Sequence, residues 1–245
     1  MVLGKKGALA ALSVISVFNV SAAQTTTGEQ TKLSEDPTKV VTQFGASYSD
    51  ELRITGSLSL GAVKKLNASV SANGDEWRVG GSWLFDIGIV NFNFGKQSYD
   101  QGAERTTYSV GTFMPLSYFD IAPYGWQIFA MGGYSHVDGE IACLAGQGAC
   151  LTTEIPGPEG WVLIPNSSDG GYLGAFALKP LSEKWTLMTA AAYSVGSNDY
   201  SGYFAAIGAS YQFDKQQSFK LFAATEDSDY GSDQNLVLGY TYQFN

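Results

Sequence analysis

The chain has little of what a helical membrane protein, a metalloenzyme or a nucleic-acid-binding protein requires. It contains no apolar run of about 18 residues, the length that a membrane-spanning helix needs. Two cysteines and one histidine in 245 residues are too few to ligate zinc, and no motif indicates a cofactor. There are 14 Lys and Arg residues against 23 Asp and Glu residues, and this acidic balance argues against nucleic acid as a partner.

Glycine and aromatic residues are abundant instead. The chain has 29 Gly, 14 Tyr, 14 Phe and 5 Trp residues, yet its mean hydropathy is −0.04. So many aromatic side chains exclude disorder for most of the chain. Strands whose alternate residues face lipid combine high apolar content with a near-zero mean hydropathy, so the composition favours a membrane β-barrel.

The first 23 residues are typical of a cleaved signal peptide. Lys5 and Lys6 are followed by a mostly apolar stretch over 7–20 and by the small residues of 21–23. This predicts export. The polar, Thr-rich stretch 24–39 is predicted to be a flexible periplasmic arm, and 40–245 to be the barrel.

The only two cysteines, Cys143 and Cys150, lie close together in a Gly-rich stretch. In an oxidising periplasm such neighbours form a local disulfide, which we therefore predict.

From Val40 onward, apolar residues recur at every second position in twelve segments of mostly about 8 to 11 residues, the length of a tilted membrane strand. The predicted fold is all-β, a transmembrane antiparallel up-and-down barrel of twelve strands. Ten strands is the alternative, if the first hairpin or the weak segment 66–72 does not join the wall. In the eighth segment, the residues predicted to face outward are Tyr172, Phe176 and Leu178.

The connections between these segments fall into two groups. With the N-terminus inside, the long connections 96–105, 136–170, 196–202 and 226–235 all lie on one side, and the turns on the other side are short. Outer-membrane barrels keep long loops outside and short turns in the periplasm. We therefore predict a long extracellular loop over 136–170.

The chain ends in a pattern with an aromatic residue near the terminus and apolar residues at alternate positions before it. Its members are Gly239, Tyr240, Tyr242 and Phe244. The pattern resembles the C-terminal assembly signal of Gram-negative outer-membrane β-barrels. The resemblance implies recognition by the barrel assembly machinery and location in the bacterial outer membrane, among its lipid and lipopolysaccharide.

The face opposite the apolar one carries mainly small polar residues, which cannot fill a twelve-stranded tube. A water-filled or partly plugged bore follows, and with it the leading function: a porin-like channel for passive diffusion of small hydrophilic solutes. Arg53, Arg78 and Lys220 are the candidate selectivity charges. The other lumen candidates are Gln43, Asn91, Asn93 and Gln127.

Two other functions are weighed against the channel. One is a non-conducting surface barrel that acts in adhesion or as an assembly or receptor partner. The other is a lipid-modifying hydrolase at the rim with His136 as the base, for which the His-x-Ser pattern typical of such families is absent. We therefore expect no enzyme. The sequence leaves open whether copies form a homo-oligomer, and whether 24–39 or 136–170 plugs the bore.

Overall fold

The computed structural model describes residues 32–98, 102–144, 161–197, 200–228 and 231–244. They form twelve strands, each antiparallel to its sequence neighbours, and β1 also pairs with β12 so that the sheet closes into a barrel. The predicted all-β fold and the count of twelve are confirmed. The predicted signal peptide, 1–23, lies outside the described residues. None of the helices within these ranges is long and apolar enough to cross a membrane.

The strands differ in length around the barrel. Their bounds are β1 Gln43–Tyr48, β2 Leu52–Ser59, β3 Lys64–Ser71, β4 Glu76–Phe85, β5 Gly88–Ser98, β6 Glu104–Pro115, β7 Gln127–Leu144, β8 Trp161–Pro180, β9 Trp185–Gly196, β10 Ser201–Gln212, β11 Gln217–Ser228 and β12 Gly231–Gln243. We call the end that holds the start of β1 and the end of β12 the lower end. Four connections there are short, and the fifth, between β6 and β7, contains the 3₁₀ turns Leu116–Phe119 and Pro123–Gly125.

At the upper end, β7 and β8 extend well beyond their neighbours. Pairing of β6 with β7 stops at Gly139 and pairing of β8 with β9 stops at Gly170, whereas β7 and β8 continue to pair up to Leu144 and Trp161. The prediction of an irregular loop over 136–170 is therefore wrong for 136–144 and 161–170, which form a two-stranded ribbon. The glycine and serine residues and Pro165 in these stretches are typical of loops, so the sequence did not indicate strands there.

The outer face of the wall carries a continuous apolar surface, as predicted. Tyrosines are exposed near its upper edge and other aromatic residues near its lower edge. The upper group is Tyr48, Tyr108, Tyr134, Tyr193 and Tyr203, and the lower group includes Trp83, Phe85, Trp185, Phe213 and Phe244. Two aromatic belts that flank an apolar band are typical of a wall that faces lipid.

The inner face is divided into two parts. On β2 to β4 and much of β5 it is mostly polar, whereas on β6 to β11 it carries large apolar side chains that form a buried cluster. The cluster's largest wall residues are Ile89, Phe113, Phe129, Met131, Phe176, Leu178, Met188, Phe204 and Phe222. The expectation that small polar groups line the whole bore is wrong for this part.

The phase of β8 was also predicted wrongly. Phe176 and Leu178 are buried and face inward, and Tyr172 lies on the same face, whereas Leu173 faces outward and is 73% exposed. Both faces of β8 are apolar, so alternation alone does not identify the inner one. The ring of Phe129 on β7 lies 6.0 Å from the ring of Phe176, and this packing requires the inward phase.

Candidate functional site

The lower half of the lumen contains a piece of the chain that precedes the barrel. Residues 32–42, which we call the plug segment, make two tight turns, and those from Glu35 to Val40 are buried. Asp36 Oδ1 accepts hydrogen bonds from the backbone N–H of Thr38 at 2.8 Å and from its hydroxyl at 2.7 Å. Residues 32–39, predicted to belong to a flexible periplasmic arm, are thus folded inside the barrel. Residues 24–31 lie outside the described residues.

The plug segment is attached to the wall by polar contacts on both sides. Glu35 forms an ion pair with Lys220, and its second contact is a hydrogen bond from the Ser210 hydroxyl at 2.8 Å. On the other side, Lys65 Nζ donates to the carbonyl of Lys39 at 3.0 Å, and the Ser57 hydroxyl donates to the carbonyl of Val41 at 2.8 Å. Leu33 and Val40 add apolar contacts with the buried cluster.

A cavity of about 200 Å³ lies above the plug segment. It extends from Glu51 at the upper end to Lys220, and the predicted selectivity residues Arg53 and Arg78 both line it. We call it the arginine cavity. Glu76 and Arg105 line the same cavity and were not among the residues predicted from the sequence.

Arg53 is held by Glu76, the first residue of β4. Both of its Nη atoms donate to the Glu76 carboxylate, each at 2.6 Å, and Arg78 Nη2 lies 3.3 Å from the same group. Such a two-point contact fixes the guanidinium plane as well as neutralising its charge. Arg53 also lies 3.8 Å from Glu51. These contacts join the upper ends of β2 and β4.

Arg105, the second residue of β6, belongs to the same group. Its Nε and Nη1 atoms are buried and have no hydrogen-bond partner among the described residues. In the sequence this residue falls at the end of the predicted connection 96–105. Only its residue type linked it to the other two in the sequence, because Arg53, Arg78 and Arg105 are the only arginines in the chain.

The other predicted lumen residues lie on the inner face, in keeping with the alternating burial of their strands. Gln43, the first residue of β1, is buried at the lower end. Asn91 and Asn93 share the face of buried Ile89, and Gln127 shares that of buried Phe129. Asn93 Nδ2 lies 3.5 Å from the Ser109 hydroxyl, a contact that joins β5 to β6 within the polar part.

Tyr172 occupies the lumen beside two glycines of neighbouring strands. A Cβ atom at Gly111 would lie 2.1 Å from the Tyr172 hydroxyl, and one at Gly133 would lie 2.7 Å from the same ring. A Cβ atom at Gly133 would also lie 2.4 Å from the Val110 carbonyl, so a larger residue must displace the ring at Gly111 and both the ring and the backbone at Gly133. These glycines are therefore needed for the close approach of Tyr172, which fills the space above the apolar cluster.

His136 lies on the outer face, near the upper edge. Its Nδ1 atom is 2.8 Å from Asp169 Oδ1, which also accepts a hydrogen bond from the Tyr134 hydroxyl. In the described part of the chain the carboxylate is its only hydrogen-bond partner. A His–Asp pair is one part of a hydrolytic site, but a serine or cysteine nucleophile bonded to the imidazole is not found among these contacts.

The cysteines and the C-terminal pattern stay as predictions. Cys143 falls in β7, but Cys150 lies outside the described residues, so the disulfide is untested. In the C-terminal pattern, Gly239, Tyr240 and Tyr242 lie at the end of β12 and Phe244 follows it; the Tyr242 and Phe244 rings are 5.0 Å apart and Tyr240 packs 5.2 Å from Phe219. Within the described ranges no group of three or more His, Cys, Asp or Glu residues could hold a metal ion.

No protein-family model and no curated protein sequence matches the chain. Solved structures do match. The translocator domain of the autotransporter NalP from Neisseria meningitidis is similar with a TM-score of 0.54 and 14% identity, over 83% of this chain and 86% of that one. The β domain of the Bordetella autotransporter BrkA gives 0.52 and 13%, over 84% and 100%.

A porin is similar to nearly the same degree. The NanC porin has a TM-score of 0.51 and 11% identity, over 83% of this chain and 100% of that chain. These identities are low, so the likeness concerns the fold. The fold of this chain is that of outer-membrane β-barrel proteins, as the C-terminal resemblance implied.

Proposed function

We propose that the protein is a porin-like channel of the bacterial outer membrane, through which small hydrophilic solutes diffuse when the plug segment leaves the lumen. The polar inner face of β2 to β4 is the observation that carries this proposal. It includes Thr55, Ser57, Lys65 and Ser82, all buried. A barrel that served only as a solid core would gain by lining this face with apolar residues, whereas a solute path requires groups that water can hydrate.

In the structure the plug segment covers this polar face at the lower end. Lys65, Ser57 and Lys220, which would otherwise be hydrated, bond to the plug segment instead. Each contact exchanges a bond with water for a bond with the segment, so the net free energy is about 0.5–1.5 kcal/mol for the Ser57 hydroxyl and about 1.5–3 kcal/mol for each charged lysine. Release of the segment would therefore convert a closed lumen into a polar path without unfolding the wall.

Swelling of proteoliposomes in isotonic sugar solutions tests this proposal. We compare the wild-type protein with Glu35→Lys, which places a third positive charge beside Lys220 and Lys39 and expels the plug segment. Glu183→Lys, in the exposed lower turn between β8 and β9, is the matched control. We expect Glu35→Lys to speed swelling in a pentose but not in a long maltodextrin, and the control to behave like the wild type.

The alternative is a non-conducting surface barrel, and two observations favour it. The apolar cluster on β6 to β11 fills much of the lumen, and the β7–β8 ribbon extends beyond the wall, where a partner could contact it. The fold is shared by a porin and by autotransporter translocator domains, so it does not choose between the two functions. If Glu35→Lys liposomes swell no faster than protein-free liposomes, the channel is rejected in favour of this alternative.

A further inference from the structure

All three arginines of the chain converge on one cavity. Arg53 on β2, Arg78 on β4 and Arg105 on β6 line the arginine cavity, although they are far apart in the sequence. Most cations of this chain are lysines, since only three of the 14 Lys and Arg residues are Arg. The cavity thus has all three arginines in its lining but two of the 11 lysines, Lys96 and Lys220.

The cavity carries an excess of positive charge. Two carboxylates, Glu51 and Glu76, face the three guanidinium groups, and Glu76 is bound at both oxygens by Arg53. Lys220, at the inner boundary, is neutralised by Glu35 of the plug segment. Lys96, which also lines the cavity, is paired with Glu104, so three guanidinium groups against two carboxylates leave a net charge of about +1, inside a chain whose formal charge is −9.

Arg105 has side-chain donors that no described residue satisfies. Its Nε and Nη1 donors are buried without a partner in the part of the chain that the structure describes. Buried donors of a charged group are costly unless they are bonded, and Arg105 lines the cavity, so its guanidinium is the group whose charge a bound anion would compensate. Guanidinium donors match the planar oxygens of carboxylates and the oxygens of phosphates better than ammonium does.

We propose that the arginine cavity binds a small anionic solute through a carboxylate or phosphate group. The Arg105 guanidinium supplies the positive charge that no carboxylate of the described residues pairs with, and Glu76 holds Arg53 and Arg78 in place around the bound group. The volume, about 200 Å³, suits a small organic anion, because sites for drug-sized ligands occupy about 300–1,000 Å³. This inference names the solute class of the proposed channel, and rests on that function only for the route by which the solute arrives.

Arginine-selective nuclear magnetic resonance tests the inference directly. The full chain labelled with ¹⁵N-arginine has three Nε–H signals, one per arginine, which single Arg→Lys variants assign. Inorganic phosphate and acetate are titrated in turn into the protein in lipid nanodiscs, at an ionic strength held constant with sodium chloride. Glycerol is the neutral control. We expect a saturable shift of the Arg105 signal with an anion and none with glycerol.

Two variants complete the test. Arg105→Gln should weaken the apparent Kd for phosphate by at least about tenfold, because a charge-assisted contact is lost. Lys184→Gln removes a cation in the lower turn and should leave the Kd unchanged. Heat-modifiable migration on gels confirms that each variant retains the barrel. Shifts that stay linear in all three signals, or an unchanged Kd in Arg105→Gln, would overturn the inference.

The result is independent of conduction. Binding is measured on the closed protein, so a silent bilayer together with saturable phosphate binding rejects the channel and keeps the anion site. Conduction without saturable binding rejects the anion site and keeps the channel.

Discussion

The ammonium group of Lys220 on β11 forms an ion pair with the carboxylate of Glu35, and the two side chains are only 6% and 3% exposed. Removal of one member of such a buried pair leaves an uncompensated charge, at a cost of about 3–5 kcal/mol. Glu35 belongs to the plug segment and Lys220 to the wall. Loss of either charge therefore destabilises the closed state, in which the segment lies in the lumen, and not the folded barrel. We therefore expect the pair to control whether the plug segment stays in the lumen.

Limited proteolysis should report the position of the plug segment. Lys39 is buried within the lumen, so trypsin should cut slowly after it in the wild type. Glu35→Lys should speed this cleavage by about tenfold or more, since the segment is then exposed. Mass spectrometry of the products identifies the site. The Glu183→Lys variant is the control, and equal cleavage rates in all three proteins would contradict the placement of the segment.

The wall was largely predictable from the sequence, whereas the contents of the lumen were not. Every strand must present apolar side chains to the lipid at alternate positions, and this requirement produces a period-two pattern in the sequence. No comparable rule acts on the inner face. On β2 small polar residues such as Thr55 and Ser57 alternate with apolar ones, so the inner face is evident, but on β8 both Leu173 and Phe176 are apolar.

The plug segment and the arginine cavity depend on contacts between residues far apart in the chain. Glu35 and its partner Ser210 are separated by 175 positions, and nothing local distinguishes a carboxylate that will be buried from one on a mobile arm. Arg53 and Arg78 were identified because their phase places them on the inner face. Arg105 was missed because it stands at the beginning of a strand, where the phase is least certain.

The contact between Tyr172 and Gly111 predicts that a change at Tyr172 restores part of the stability lost by a change at Gly111. Gly111→Ala places a methyl group where the Tyr172 hydroxyl lies, and should lower the free energy of unfolding by about 1–3 kcal/mol. Tyr172→Phe removes that hydroxyl, so the double variant should recover part of the loss. Gly171→Ala has only ordinary contacts, the nearest at 3.5 Å, and serves as the control. Additive effects of the two changes, measured by urea unfolding in micelles, would contradict this packing.

Asp214 gives the lower turn between β10 and β11 a pH dependence. The backbone N–H groups of Gln216 and Gln217 bond to its carboxylate and lower its pKa below the usual value. The resulting stability is present above the unfolded pKa, about 3.9, and is lost as the pH falls through the lower folded value. Asp214→Asn should flatten the pH dependence of unfolding below about pH 4. An unchanged profile would show that this carboxylate does not contribute.

The His136–Asp169 pair should have no hydrolytic activity. Its one carboxylate contact orients the imidazole, but no nucleophile is bonded to it in the described chain. We expect the purified protein to release no fatty acid from phospholipid or lipopolysaccharide vesicles. Release by the wild type that His136→Ala abolishes and Lys184→Gln retains would instead establish a rim-sited hydrolase.

Single-channel recording in planar bilayers, with an exchange of the charges at positions 35 and 220, tests the central claim most directly. The wild type should be mostly closed, Glu35→Lys should give discrete open steps, and the exchanged variant Glu35→Lys/Lys220→Glu should close again because the ion pair is restored with opposite polarity. Silent bilayers with all three proteins, or equal open probability in Glu35→Lys and the exchanged variant, would contradict a channel closed by the plug segment.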